Sequence, residues 1–275
     1  MRVEVEGVTL EVEDHGEGIP VVLLHGFPLS SEMWMPVRTA IEQVARVVTP
    51  DLRGFGGSDA PVGDYGMGIL AGDVVGLADR LGFERFVLGG HSMGGYVALR
   101  IADRSLDRIA GLVLVDTRAS PDTDEARARR DEAIARIGGG DREAFLDGFV
   151  ANLVGRSSRQ RAPRQIAEMR AIAGGIPDHV LAGCLAGMRD RPDSAALLAK
   201  LDVPALVIAG EEDTITPPEV GEAMAAVLPH ARLAVIPLAG HTPSVERPIP
   251  TAEAIVSFLL ENFPQPAAPI RPRRG

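Results

Sequence analysis

Three residues that together can break an acyl bond occur in this chain, each at a break between regular segments. They are a serine in Gly90-His91-Ser92-Met93-Gly94-Gly95, an aspartate in Gly210-Glu211-Glu212-Asp213-Thr214 and a histidine in Ala239-Gly240-His241-Thr242-Pro243. A serine hydroxyl is a weak nucleophile; it needs an imidazole to take its proton and a carboxylate to orient that imidazole. The order Ser, Asp, His along the chain is one of the few known to build such a relay.

The serine carries the sharpest signal. Its Gly-x-Ser-x-Gly run follows the apolar stretch Phe86-Val87-Leu88 and leads into the helical residues Tyr96, Val97, Ala98 and Leu99. Strand, sharp turn, helix is the context of a nucleophile elbow, in which a strained turn lifts the hydroxyl above the sheet edge. Gly90 and Gly94 are expected because side chains there would collide with the flanking strand and helix. The helix start behind Ser92 also favours the negative charge of acyl transfer.

Of the six histidines, His15, His25, His91, His179, His230 and His241, only the last lies just beyond the final apolar strand run. A loop there can swing an imidazole over the sheet rim. His91 adjoins the nucleophile but points elsewhere, and His25 is expected to hold its loop. The others lack a supporting pattern, and no pair has metal-ligand spacing with carboxylates, so no metal site is expected. For the acid, Asp213 competes with Asp116, which ends an earlier strand; the Gly-x-x-Asp context favours Asp213. His25-Gly26-Phe27-Pro28 ends another strand run and can aim a backbone N–H at a developing oxyanion. Phe27 is the expected first donor and the amide of Met93 the second, each worth ~3 kcal/mol in the transition state.

Positioning these loops takes a sheet. Val21–Leu24, Phe86–Leu88, Leu112–Val115, Ala205–Ala209 and Leu233–Ile236 are continuous apolar runs, as in strands covered on both faces. Val44 to Thr49 adds another, and Val3 to Val12 reads as an edge hairpin turning at Gly7. Helical patterns alternate with these runs, including Met67 to Leu81, Val220 to Leu228 and a closing helix around Ile255 to Phe263. The pattern predicts an α/β fold with a mostly parallel sheet and helices on both faces.

Between Ser120 and Asp193 the alternation stops. Four helical stretches, Asp124 to Ile137, Arg142 to Val154, Gln160 to Ala173 and Pro177 to Met188, read as an inserted cap. The expected organisation is therefore a core of residues 1–119 and 194–263, a helical cap of 120–193 and a disordered, proline-rich tail of 264–275. Within the cap, Phe145, Phe149, Met169, Leu181, Leu185 and Met188 sit at helical spacing and are read as cap core, not as pocket.

The bulk composition narrows the partners. The 275 residues are 45% hydrophobic with a formal net charge of -10, which supports a sizeable core and repels nucleic acid and anionic membranes. The lone Cys184 has no internal disulfide partner and reads as a small buried apolar side chain. No apolar run approaches the ~18 residues of a membrane span, and the N-terminus lacks a signal-peptide core. A cytoplasmic location is the expectation.

Taken together, these stretches resemble the α/β-hydrolase superfamily over nearly the whole chain. The resemblance rests on His25-Gly26-Phe27-Pro28, Asp51-Leu52-Arg53-Gly54-Phe55-Gly56-Gly57-Ser58, Gly90–Gly95, Gly210–Asp213 and Gly240-His241. The segments Val115–Ala119 and Met188–Ser194, flanking the cap, are similar to the carboxylesterase and 3-oxoadipate enol-lactonase branch. The resemblance implies an eight-stranded sheet, a four-helix cap, no cofactor, and Ser92, Asp213 and His241 as the triad. A serine at the elbow argues against the haloalkane dehalogenase and epoxide hydrolase branches. The expected reaction is hydrolysis of a small carboxylic ester. Enol-lactone opening, cofactor-free haloperoxidase or perhydrolase chemistry, and a non-catalytic ligand receptor are the alternatives.

Overall fold

The computed structural model describes residues 1–264; the expected tail falls, but for its first residue, outside them. Eight strands form one sheet: β1 (Arg2–Val5), β2 (Val8–His15), β3 (Pro20–Leu24), β4 (Arg46–Pro50), β5 (Phe86–His91), β6 (Ile109–Val115), β7 (Ala205–Gly210) and β8 (Ala231–Ile236). Their spatial order is β1-β2-β4-β3-β5-β6-β7-β8. Only β1 with β2 and β2 with β4 pair antiparallel; every other neighbour is parallel. Parallel neighbours need crossovers, and the intervening helices supply them.

The helices are α1 (Met35–Ile41), α2 (Met67–Arg80), α3 (Met93–Arg104), α4 (Asp124–Gly138), α5 (Arg142–Leu153), α6 (Arg156–Arg161), α7 (Pro163–Gly174), α8 (Asp178–Arg189), α9 (Ala195–Leu198), α10 (Pro218–Val227), α11 (Pro243–Glu246) and α12 (Pro248–Asn262). Among them α2 packs on α3 and α1 on α12. The central strands β5 and β7 are buried at every residue, as continuous apolar runs require. The last strand departs from that expectation. Arg232 and Val235 of β8 are exposed because β8 closes the sheet at its edge, with a neighbour on one side only.

The expected four helical stretches after β6 are five helices, α4 to α8. The third stretch breaks at Pro163, which lacks an N–H for the preceding turn and disfavours a helical Ala162. Ala162 takes φ -127° and ψ 44°, ending α6 and starting α7. Among the described residues no single helix is long and apolar enough to cross a membrane; α7 and α8 pass such a test only as a pair bent by 99°. Cys184 is buried and free, as expected, and burial pushes its thiol well above its usual range.

Candidate active site

The rim where β5, β6, β7 and β8 end carries all three residues of the expected relay. Ser92 stands between β5 and α3 with φ 50° and ψ -110°, a backbone state that non-glycine residues rarely adopt. Its N–H donates to the Val115 carbonyl at 2.9 Å, locking the turn onto β6. A methyl at Gly90 would lie 2.2 Å from the Gly94 carbonyl oxygen, and one at Gly94 would lie 2.5 Å from that of Leu24. The two glycines are thus fixed by close approach, as the motif predicts.

His241 reaches the elbow from the loop after β8. Its Nε2 lies 2.9 Å from Ser92 Oγ, and its Nδ1 lies 2.7 Å from Asp213 Oδ2. The carboxylate accepts further hydrogen bonds: from the Ile215 and Thr216 amides at 2.7 and 3.1 Å on Oδ1, and from the Thr216 hydroxyl at 2.6 Å on Oδ2. Burial alone would raise the Asp213 pKa. The His241 imidazole and these donors outweigh it and hold the group at about 2. Asp213 is therefore an anion aimed at Nδ1, which fixes the tautomer with Nε2 free to accept the serine proton.

Asp116, the competing acid, is brought close but not into the relay. Its Oδ1 accepts the Gly210 N–H at 2.8 Å, while Oδ2 has no protein donor. Asp116, Asp213 and His241 can each place one donor atom within 4.8 Å of the others. The His241 nitrogen and the Asp213 oxygen nearest it are taken up by their own hydrogen bond, so this is a hydrogen-bonded relay more than a metal cradle.

The other expected histidines keep structural posts. His25 Nε2 accepts the Leu52 N–H at 3.0 Å, so the ring is neutral and its Nδ1–H donates to the Gly26 carbonyl at 3.0 Å. Burial lowers its pKa in agreement. His91 is fully buried, and desolvation together with the nearby His241 lowers its pKa to about 3. Its Nε2–H donates to the His241 backbone carbonyl at 2.5 Å. The loop after β3 presses on this ring: a methyl at Gly26 would lie 2.3 Å from His91 Nδ1. Phe27 and Met93 are both buried, one in that loop and the other opening α3. The N–H of Met93 is one of the first four of the helix, which have no intrahelical acceptor.

Three supporting residues went unsignalled in the sequence. Thr216 holds Asp213, and Thr117 donates its hydroxyl to the Ser92 carbonyl at 2.8 Å. Glu246 accepts from the Gly155 N–H at 2.9 Å, the Gly240 N–H at 2.9 Å, and the Thr242 N–H and hydroxyl, both at 3.1 Å. One carboxylate thus ties both flanks of His241 to the turn between α5 and α6. Only the chain fold makes these partners neighbours.

A cleft of about 320 Å³ is lined by Tyr96, Arg118, Phe145, Phe149, Leu185 and Ile215 among others. No relay residue lines it, and its link to the relay is Ile215, whose N–H donates to Asp213. Phe149 packs edge-on to Phe27 with ring centroids 5.3 Å apart. Phe145 and Leu185 are buried in the core, as expected, with Phe149 packed against it, and all three line this cleft as well. A larger open groove of about 560 Å³, with Arg53, Asp73 and Arg104 in its wall, includes none of the three relay residues.

Comparison with known proteins agrees with this architecture. A thermophilic esterase from Thermogutta terrifontis, solved with malate bound, superposes with a TM-score of 0.92 at 40% identity, covering 96% of this chain and 99% of that one. The enol-lactonase from Burkholderia xenovorans LB400 superposes with a TM-score of 0.87 at 28% identity, covering 94% and 99%. A fluoroacetate dehalogenase from Burkholderia sp. is 40% identical over 119 residues, which is 42% of this chain but only 39% of that protein. The family model for the alpha/beta hydrolase fold matches residues 19–248, and with the sheet order and the rim geometry in place, the chain belongs to that family.

Proposed function

We propose that the protein hydrolyses small carboxylic esters through an acyl-enzyme on Ser92. The supporting observation is the unbroken chain of contacts from Ser92 Oγ to His241 Nε2 and from His241 Nδ1 to Asp213 Oδ2. His241 takes the hydroxyl proton as Oγ attacks the ester carbonyl, and the amides of Phe27 and Met93 hold the oxyanion. The tetrahedral intermediate collapses, and the alcohol leaves with the proton from His241. Water, deprotonated by the same imidazole, then releases the acid and restores Ser92. Support for the two donors is that Met93 opens α3 and that the segment just before Phe27 packs on the start of that helix, the Leu24 and His25 carbonyls lying against Gly94. Titration with a fluorophosphonate tests the reading: one equivalent should label Ser92 and abolish turnover of p-nitrophenyl acetate. Full turnover after labelling, or no labelling, defeats it.

A narrower reading is that the ester or lactone carries a second carboxylate. In the cleft wall Asp122 is already engaged by Arg130 at 2.5 Å and by Arg191 at 2.6 Å. Arg118 makes no ion pair among the described residues; it donates to the Ile215 carbonyl at 2.5 Å and leaves Nε buried without a partner. In a chain of net charge -10, a cationic group without a carboxylate partner in this cleft favours an anionic ligand. A panel of neutral p-nitrophenyl esters, hemisuccinate esters and lactones separates this reading from simple esterase action.

A further inference from the structure

We infer that Asp116 is a neutral carboxylic acid whose Oδ2–H donates to the Asp213 carboxylate, making it a positioning residue that keeps the relay's negative charge on Asp213. The inference rests on the assignment of Asp213 to the relay.

Two carboxyl groups meet here away from water, with Asp116 3% and Asp213 4% exposed. Like charges at such range in a buried site do not both persist, so the pair retains a proton. The donors decide which partner keeps it. Asp213 receives four hydrogen bonds, from the Ile215 and Thr216 amides, the Thr216 hydroxyl and His241 Nδ1. Asp116 receives one, from the Gly210 amide on Oδ1. Its Oδ2 is buried with no donor facing it, a poor place for half a negative charge and a good one for an O–H. Of the other titratable groups, His241 sits across Asp213 and is paired with it, and the Glu246 carboxylate adds further negative potential at Asp116. Burial first, and then the Asp213 charge, push the Asp116 carboxyl well above the usual range.

The chain invests structure in this placement. Asp116 adopts φ 42°, left-handed for a non-glycine residue, directly after β6. Its own N–H donates to the Ile208 carbonyl at 2.9 Å while Oδ1 receives the Gly210 amide two residues further along the same strand. Asp116 is therefore pinned at two points along β7, and one carboxyl oxygen of each acid lies within 4.8 Å of the other. No proton passes between the two carboxyls: the O–H stays on Asp116, and Asp213 remains the acceptor of His241 Nδ1–H throughout the cycle.

Infrared spectroscopy of the whole protein at neutral pH reads the proton directly. A protonated-carboxyl C=O band, shifted in deuterated buffer, should be present in the wild type and missing in Asp116→Asn; a wild-type spectrum without it overturns the inference. This measurement needs no activity, so it fails or succeeds apart from the esterase reading. Kinetics give the second arm. Asparagine supplies an N–H donor and a carbonyl in place of the acid, so Asp116→Asn should keep kcat/KM within about threefold and leave the acid limb of its pH profile in place. Were Asp116 an anion, its removal would shift that limb to lower pH, and such a shift refutes the neutral acid. Asp116→Leu, which offers no donor, should lower kcat by about tenfold or more with KM little changed; wild-type kcat in a folded Asp116→Leu also refutes the positioning role.

Discussion

The Nε2–H of His91 donates to the backbone carbonyl of His241 across 2.5 Å, so the residue before Ser92 clamps the loop that carries His241. The rings lie 4.9 Å apart between centroids. Neutral His91 is what allows this, since a second cation beside His241 would oppose the imidazolium formed during acyl transfer.

The clamp has a pH signature. The His91 pKa falls from 6.5 in the unfolded chain to about 3 in the fold. Between those values the unfolded chain binds more protons, so stability rises with pH and is lost as pH falls through the window. The full effect is on the order of 5 kcal/mol. Denaturant unfolding at a series of pH values should show this slope, with a part of the same sign from buried His25. His91→Asn should flatten it, even though it is less stable than wild type at pH 8.

Ser92→Ala should lower kcat for p-nitrophenyl acetate by about a million-fold. The variant should fold normally, because alanine relieves none of the contacts that hold the turn. Steady-state assay with the fluorophosphonate-treated wild type as background checks it; near-wild-type turnover contradicts the role assigned to Ser92.

The two acids should separate cleanly. Asp213→Asn loses the anion that orients His241 and should reduce kcat by about 10⁴. Asp116→Asn is expected to be mild. The reverse ranking in parallel kinetics would move the orienting role to Asp116.

Glu246→Ala removes the acceptor shared by Gly155, Gly240 and Thr242. Orphaned amides cost about 1–3 kcal/mol each when water cannot replace the partner, so stability should fall by about 2 kcal/mol at this half-buried site. With the His241 loop loosened, kcat/KM should drop about tenfold. Thermal melts and ester assays on the same preparation measure both.

Arg118→Leu should leave acetate esters nearly untouched while raising KM for a hemisuccinate ester by about tenfold, the loss of one partly screened ion pair. Equal effects on both substrates would remove Arg118 from substrate recognition.

How much of this was legible in one sequence depends on the range of the interaction. The elbow is mostly local: the positive φ of Ser92 and the approach of Gly90 to Gly94 act within five residues, while Gly94 itself packs on the distant Leu24 carbonyl. The strands are local too, since burial on both faces leaves unbroken apolar runs such as that of β7. Pro163 marked a helix break in plain letters, and the helical spacing on either side still masked it.

The choice between Asp213 and Asp116 was only partly local. Both follow β-strands at the same rim, and the sequence by itself favoured Asp213 through its Gly-x-x-Asp context alone. Tertiary structure decided it, by turning Asp213 toward His241 Nδ1 and folding the Ile215 and Thr216 amides around its charge. Likewise the composition determined a hydrophobic α/β core, but the clamp of Glu246 on residues 155, 240 and 242 joins segments more than 80 positions apart. A carboxylate selects its donors by distance in space, and no spacing along the chain encodes that until the sheet has brought the loops to one edge.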